Sequence, residues 1–325
     1  TPPLPEAESS FSFVAMSDMQ KSNDDPDVFD EIVHQGVLDY FGGETSEEIA
    51  LVLIPGDLVV NGNTYEQWSG DFFAPSHDLF AQVPLYPVLG NHEVNSTYYF
   101  QYFHLPENGT PGSEEDWWYK DYGNVRFMGL NSNAPYDGED QLDWLADVLD
   151  ATCDLEHIDF VFAELHHPHK SELWTPGERD FTGEVVTALE AFSQSCSKPS
   201  IHFFGHTHGY SRGQSLDHKH LWINVASAGG AIDYWGQWPQ FDYDEFEITT
   251  DDWGFVAVDV EAGDAPQFTV KRLSRGDNYG SLDNVCTDSL VVTKSDLAPP
   301  PPSPVAPLGT TQPPECIVLA ASPFG

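Results

Sequence analysis

The chain has 325 residues, of which 12 are Lys or Arg and 53 are Asp or Glu, so its formal net charge is −41. A surface this acidic repels polyanions, which argues against DNA or RNA as a partner. Hydrophobic residues make up 40% and aromatic residues 13%, enough for a substantial core, so a globally disordered chain is excluded. No stretch approaches the roughly 20 apolar residues of a membrane-spanning helix, so we expect no membrane partner either. The acidity suits either a marine or halophilic protein or an ordinary acidic secreted one.

Short apolar runs alternate with segments of helical periodicity. The runs predict strands at residues 11–16, 49–54, 85–89, 125–130, 160–165 and 201–204. Helical spacing predicts helices at residues 27–40, 141–149 and 184–192. Three further predicted strands, 221–226, 254–260 and 267–272, have no helices between them. We expect an α/β fold with a mixed sheet, or two packed sheets, flanked by helices.

Both ends of the chain differ in composition from the middle. Residues 1–10 are a polar lead-in, and residues 295–325 form a Pro-rich tail. One domain is therefore expected at residues 11–294. The chain begins at Thr1 without an apolar leader, which is typical of a mature protein after signal removal.

Four cysteines allow three disulfide pairings. Cys153 and Cys196 each follow a predicted helix, while Cys286 lies near the end of the predicted domain and Cys316 in the tail. We predict the pairs Cys153–Cys196 and Cys286–Cys316. Disulfides favour a secreted or periplasmic location, and four thiols in a cytosolic protein are the alternative.

Side chains that commonly bind metal ions follow almost every predicted strand. They fall at the ends of five apolar runs: Asp18 and Gln20; Asp57; Asn91, His92 and Glu93; His166 and His167; His206 and His208. Each motif alone is weak. Sites in open α/β sheets form beyond the carboxyl ends of the strands, so together these motifs predict a centre for two metal ions.

The order of the motifs resembles that of the calcineurin-like metallophosphoesterase superfamily, which has D-x-H, G-D, G-N-H-[DE], a strand-end His and G-H-x-H. The resemblance covers roughly residues 11–272. The stretches YKDYGNVRFMGLNSN and QLDWLADVL also resemble the branch that includes purple acid phosphatases. The resemblance implies a four-layer α/β/β/α sandwich with two mixed sheets and two divalent metal ions, Mn, Zn, Fe or Mg, at the sheet edge.

The resemblance also implies roles for single residues. One metal ion would be bound by Asp18, Gln20, Asp57 and His208, and the other by Asp57, Asn91, His166 and His206. His92 would be the general acid, with Glu93 behind it as a possible orienting partner, and a metal-bridging hydroxide would attack the phosphoryl group. Asp57, Asn91 and His92 are the implied catalytic residues.

Two positions depart from the family pattern. Gln20 stands where the family usually has His, and a neutral amide is a weaker and harder ligand that would favour Mn or Mg. It could also be an indirect contact or merely fill space. Val60 stands where purple acid phosphatases carry a Tyr that binds iron, which argues against an iron–tyrosinate centre.

Several assignments stay open at the level of sequence. His166 and His167 compete for one ligand position, and the resemblance favours His166, because the family's His usually lies two residues before a Pro, here Pro168. Tyr210 and Arg212 follow the GHTH motif as candidate substrate-binding residues, although Arg212 could equally pair with a carboxylate. Four tryptophans could stack on an aromatic leaving group, but core or loop packing is favoured for all of them: Trp117, Trp118, Trp235 and Trp238.

We expect a secreted phosphatase that hydrolyses small phosphate monoesters. A phosphodiesterase or nucleotidase on the same scaffold is the first alternative, because the sequence does not show how open the cleft is. A non-catalytic metal-binding module is the second, supported only by Gln20 and the acidic surface. A Ser-His-Asp hydrolase is disfavoured because no G-x-S-x-G motif occurs. The oligomeric state stays open.

Overall fold

Residues 9–42, 45–94, 96–218 and 220–297 are described by the computed structural model of the chain, and within them thirteen strands form two sheets. The strands are β1 (Phe11–Ala15), β2 (Ile49–Ile54), β3 (Leu85–Pro87), β4 (Trp118–Tyr122), β5 (Val125–Gly129), β6 (Phe160–Glu164), β7 (Ser200–Phe204), β8 (Tyr210–Gln214), β9 (Leu221–Asn224), β10 (Phe246–Thr250), β11 (Trp253–Glu261), β12 (Gln267–Asp277) and β13 (Gly280–Thr293). The α-helices are α1 (Val28–Glu31), α2 (Thr45–Glu48), α3 (Tyr65–Gln67), α4 (Ala74–Phe80), α5 (Thr97–Tyr102), α6 (Glu139–Cys153) and α7 (Asp180–Cys196). Two π-helical segments, Ile32–Leu38 and Trp68–Phe73, and two 3₁₀ turns, Thr175–Gly177 and Lys294–Leu297, complete the helical structure of these residues.

Both sheets are mixed. The first has the order β13-β12-β11-β1-β2-β3, with β1, β2 and β3 parallel and the other neighbours antiparallel. The second has the order β10-β8-β9-β7-β6-β5-β4, with a parallel centre of β5, β6, β7 and β9. The predicted ligands all follow strands of these parallel regions, namely β1, β2, β3, β6 and β7.

The two sheets pack face to face through aromatic side chains. Phe13 of β1 packs edge-on against Phe127 at 5.2 Å and Phe203 at 6.0 Å between ring centroids. Phe268 of β12 does the same against Phe160 and Phe162, at 5.1 Å each. Each such ring removed from water contributes about 1.5–3 kcal/mol to folding. This inner layer fixes the two sheets, and with them the strand ends that carry the site.

Helices cover the outer faces. Along β6, Phe160 and Phe162 face the first sheet, while Val161 and Ala163 face a second core formed with α6 and α7. This alternation is the two-residue period of a strand buried on both sides. The helical segment 28–38 covers the other sheet and gives the four layers α/β/β/α that the sequence implies. No helix among the described residues is both long and apolar enough to cross a membrane.

The helix predicted at residues 27–40 is divided in the structure, which has a short α-helix followed by the π-helical segment Ile32–Leu38. Gly36 lies at its closest approach to β11, where a Cβ atom would be 3.2 Å from the ring of Phe255. The missing side chain therefore lets this helix lie directly on the sheet.

Four of the strands were not predicted from the sequence: β4, β8, β10 and β13. Their sequences, for example WYKDY and YSRGQ, mix polar and charged residues with apolar ones, and the longest apolar run among them is the LVV of β13. Each pairs in an antiparallel manner. Antiparallel and edge strands need not be apolar on both faces, so periodicity did not reveal them.

The predicted disulfide between Cys153 and Cys196 is confirmed, and it joins the carboxyl ends of α6 and α7. Cys286 lies on β13, but its predicted partner Cys316 is outside the described residues. So is the Pro-rich segment from residue 298 onward.

Replacing both Cys153 and Cys196 by Ser is expected to lower the free energy of unfolding by about 3–4 kcal/mol, because the bond closes a loop with a sequence separation of 43. The helix ends that it joins lie at the opposite sheet edge from the ligands, so kcat should not change. Urea unfolding of the variant, with oxidised and reduced wild-type protein as controls, measures the effect. Equal stability of all three samples would contradict it.

Candidate metal centre

The strand-end side chains converge at one edge of the sandwich. Ligand atoms of Asp18, Asp57 and His166 all lie within 4.8 Å of one another, as do those of His166, His167 and His206. Asp18 follows β1, Asp57 follows β2 and His166 follows β6. Residues far apart in the sequence therefore meet because parallel strands end at the same edge.

The backbone is strained at three of these positions. Asp18, Asp57 and His206 have φ values of 58°, 54° and 72°, in the left-handed region that side chains other than Gly rarely adopt. Such strain costs about 1–3 kcal/mol per residue and persists where the surrounding structure enforces it. Gly56 has a φ of 86°, and a Cβ there would lie 2.7 Å from His166 Nδ1. The turn after β2 thus leaves room for the imidazole.

One group of ligands surrounds His166. Its Nδ1 donates to the carbonyl oxygen of Pro55 at 2.8 Å, which leaves Nε2 as the nitrogen that could bind a metal ion. That Nε2 lies 2.9 Å from Asn91 Oδ1, 3.2 Å from His206 Nδ1 and 3.2 Å from Asp57 Oδ2. Several acceptor atoms therefore point at one another across a short gap.

A second group surrounds His208. Its Nδ1 donates to the carbonyl oxygen of Ala231 at 2.6 Å, so its Nε2 faces the cluster. This Nε2 lies 3.3 Å from Asp18 Oδ1 and 3.0 Å from Gln20 Nε2. Asp57 lies between the two groups, because the same Oδ2 that faces His166 is 3.5 Å from Gln20 Nε2.

These residues fit two divalent cations. Converging carboxylate, amide and imidazole acceptors repel one another unless a proton or a cation lies between them, and N/O donors of this kind suit Zn, Mn, Fe and Mg. Gln20 Oε1 is buried and has no hydrogen-bond partner among the described residues. Rotating the amide by 180° exchanges Oε1 with Nε2, which would turn this oxygen toward the cluster. The contacts divide the ligands into the same two sets that the resemblance implies.

His167 is placed differently from His166. Its Nδ1 lies 2.9 Å from Ser132 Oγ, and its backbone N–H donates to the same oxygen. Burial, together with the charge of His166, lowers the pKa of His167 to about 3, so its imidazole is neutral. The structure therefore brings His166 to the centre and holds His167 beside it.

His92 lies at the open side of the centre with a third of its side chain exposed. Its Nδ1 donates to the carbonyl oxygen of Val60 at 2.5 Å, so Nε2 is the atom that faces Asp57, 3.7 Å from Oδ2. Glu93 does not orient His92. Its carboxylate instead accepts the backbone N–H groups of four residues and so fixes the turns after β2 and β3: Asp57, Leu58, Val59 and Gly90.

Tyr210 and Arg212, the predicted substrate contacts, are not brought to the site. Tyr210 is fully buried and donates to Asp288 Oδ2 at 2.7 Å. Arg212 pairs with Asp288 at 2.6 Å and with Glu247 at 2.6 Å, which is the carboxylate alternative left open by the sequence. Both side chains join β8 to β13 of the facing sheet through Asp288, and Arg212 also joins it to the neighbouring strand β10 through Glu247.

A cavity of about 300 Å³ opens beside the centre. Asp57, His92 and Asp233 contribute to its wall, together with Trp174 and Trp238. No motif surrounds Trp174 in the sequence, so this residue was not predicted to lie at the site. Within the described part of the chain, no Lys or Arg side chain lines this cavity.

Metal affinity is expected to rise with pH between about 6 and 8. Burial lowers the pKa of His166, but the charge of Asp57 outweighs burial and raises this pKa to about 9. For His208, burial is likewise outweighed by Asp18, which raises the pKa to about 9. In the metal-free protein both rings therefore carry a proton that a metal ion must displace. Each displaced proton makes the metal affinity rise about tenfold per pH unit. Titration with Mn²⁺ at pH 6, 7 and 8 measures this slope, and a flat profile would contradict it.

The fold and the centre define a class of metal-dependent phosphoester hydrolases. The family model for calcineurin-like phosphoesterases matches residues 11–210, and the chain belongs to this family. Family membership implies hydrolysis of phosphoesters with the help of divalent metal ions. None of the curated proteins matches the sequence significantly.

Solved structures share the fold at low sequence identity. Purple acid phosphatase PPD1 from yellow lupin seeds superposes with a TM-score of 0.67 at 16% identity, over 89% of this chain and 55% of the lupin chain. The present chain thus spans about half the length of that protein. PhoD superposes with a TM-score of 0.61 at 10% identity, over 97% and 75% of the two chains. GAP50, described as the anchor in the inner membrane complex of Plasmodium, superposes with a TM-score of 0.59 at 13% identity, over 86% of this chain and 90% of the GAP50 chain.

Proposed function

We propose that this protein hydrolyses small phosphate monoesters, using two divalent metal ions and His92 as the general acid. The observation that carries the proposal is the convergence of seven potential ligands beside one small cavity: Asp18, Gln20, Asp57, Asn91, His166, His206 and His208. A cavity of about 300 Å³ is at the lower end for small-molecule sites and suits one compact ester.

When bound, the metal ions supply positive charge that polarises water and offsets the charge of the phosphoryl oxygens. The chain itself supplies the geometry. Hydrogen bonds from Nδ1 to backbone carbonyl oxygens fix the rings of His166 and His208, so their Nε2 atoms cannot turn away. Glu93 holds the backbone that carries Asp57, and the ligand set is therefore preorganised.

His92 completes the reaction. As water attacks phosphorus and the ester P–O bond breaks, the leaving oxygen gains electrons and needs a proton. His92 Nε2 can donate it, because Nδ1 keeps its own proton on Val60 and the ring stays partly open to the cavity. The attacking water gives up a proton to solvent as the new P–O bond forms, and imidazole recovers one from solvent, so the cycle balances.

A phosphodiesterase is the second candidate. A monoester carries close to two negative charges near neutral pH and a diester carries one. The absence of Lys and Arg from the described cavity wall, in a chain of net charge −41, favours the less charged ester. Asp233 in the same wall adds to that preference.

Initial rates on p-nitrophenyl phosphate and bis-p-nitrophenyl phosphate, measured side by side after loading with Mn²⁺ or Zn²⁺, separate the candidates. A higher kcat/KM for the monoester supports the proposal, and a higher value for the diester supports the second candidate. If neither substrate is hydrolysed while two metal ions are bound, both candidate functions are refuted and a non-catalytic metal-binding module remains.

We also propose that the protein works in an oxidising compartment, outside the cell or in the periplasm. The disulfide between Cys153 and Cys196 supports this, since such bonds persist where thiols are not kept reduced. Mass spectrometry of the protein from its native source, with thiols blocked before lysis, would test it. Reduced Cys153 and Cys196 in that sample would contradict the proposal.

A further inference from the structure

Six of the nine tryptophans are buried in the cores, and Trp174 and Trp238 are among the other three. Both line the cavity that contains Asp57 and His92. Trp238 is 45% exposed, which is unusual for the largest apolar side chain. An indole left open beside a reactive centre gains contact area when a ligand covers it.

Hydrogen bonds hold the two loops that carry these tryptophans together. Thr175, which follows Trp174, donates its backbone N–H to the carbonyl oxygen of Pro239, which follows Trp238, at 3.0 Å. The hydroxyl of Thr175 reaches the same oxygen at 3.3 Å. A further bond runs from Tyr243 N–H to a Glu172 carboxylate oxygen at 3.0 Å. The two loops are therefore tied together, and both of their indoles line the same cavity.

Trp174 is anchored to the metal centre. Its ring packs against His206 with 5.1 Å between centroids. A Cβ on Gly177 would lie 2.9 Å from His206 Cδ2 and 3.0 Å from Trp174 Cε3, so the glycine permits this packing. The aromatic wall thus begins beside a metal ligand, and a group attached to the scissile oxygen would lie along it.

We propose that Trp174 and Trp238 form an aromatic slot that selects esters with a planar aromatic leaving group. The inference rests on the proposed function of the same cavity. Planar rings stack on exposed indoles with little dependence on their substituents, so the slot would accept aryl, benzyl and nucleoside esters. Saturated groups of equal size would gain less, because they offer no π face.

The test compares benzyl phosphate with cyclohexylmethyl phosphate, which share a primary alcohol leaving group and differ in planarity. Wild type should prefer the benzyl ester. Trp238→Ala should lower kcat/KM for that ester by about 5- to 100-fold, mainly through KM, as expected for the loss of one stacking partner. Its kcat/KM for the cyclohexylmethyl ester should stay within about threefold of the wild-type value. Trp238→Phe should keep most of the preference for the benzyl ester. Phe241→Ala, which removes a 59% exposed ring from the same loop, is the matched control.

If Trp238→Ala lowers kcat/KM equally for both esters, or does not lower it for the benzyl ester, the proposed slot is refuted. If wild type hydrolyses neither ester, the proposed function fails separately. Binding of benzylphosphonate to the Mn²⁺-loaded protein, measured by calorimetry against methylphosphonate, then decides the inference. Weaker binding of only the benzyl compound by Trp238→Ala supports the slot, and equal affinity in wild type and variant refutes it.

Discussion

Replacing Asp57 by Asn is expected to lower kcat/KM by more than about 100-fold and to reduce the metal content of the protein. Mutations of residues that merely support metal ligands already cost about 10- to 100-fold, and Asp57 contacts both groups of ligands directly. Its Oδ2 is 3.2 Å from His166 Nε2 and 3.5 Å from Gln20 Nε2. Asparagine keeps the shape and removes the charge that offsets the repulsion between two cations.

The measurement is metal analysis by mass spectrometry combined with steady-state rates. Asp264→Asn makes the same chemical change at an exposed position far from the centre in sequence and serves as the control. An Asp57→Asn protein with two metal ions and wild-type activity would contradict the role of Asp57 as the shared ligand.

Replacing His92 by Ala is expected to slow the hydrolysis of alkyl phosphates by about 10²- to 10⁴-fold, the usual contribution of a general acid. The loss should be much smaller for p-nitrophenyl phosphate, because nitrophenolate leaves without a proton. Metal content should stay unchanged, since His92 Nε2 is 3.7 Å from the nearest Asp57 oxygen and Nδ1 is bound to Val60.

Leaving-group dependence separates this role from simple damage to the centre. Rates for glycerol 2-phosphate and p-nitrophenyl phosphate are compared in wild type, His92→Ala and His104→Ala, the last altering an exposed histidine. Equal losses on both substrates would argue that His92 positions the substrate and does not protonate the leaving group.

The parallel part of the fold could be predicted from sequence because its strands are buried on both faces. Continuous apolar runs such as IALVLI mark β2, and helical spacing marks α6 and α7 between strands. The antiparallel strands β8, β10 and β13 could not be predicted in the same way. Many of their polar residues are buried in hydrogen bonds such as Thr249–Ser211 or ion pairs such as Arg212–Asp288, and these partners are known only once the strands are placed.

The convergence of the proposed ligands was predictable because parallel strands that precede them end at one edge of the sandwich. Sequence spacing does not show side-chain direction, so Glu93 was only a possible orienting partner of His92, and its carboxylate in fact accepts backbone N–H groups. Trp174 was missed for a related reason: its position depends on the hydrogen bond between Thr175 and Pro239, which are 64 residues apart. Left-handed φ values at Asp18 and Asp57 are equally invisible in the sequence.

The dependence of hydrolysis on metal ions can be measured by removing the ions and restoring them stepwise. The protein would be stripped with a chelator, titrated with Mn²⁺ and assayed on p-nitrophenyl phosphate at each step. We predict no measurable rate without metal and full activity at two ions per chain. A rate that is independent of metal content, or that is absent when two ions are bound, would contradict a metal-dependent phosphoesterase at this site.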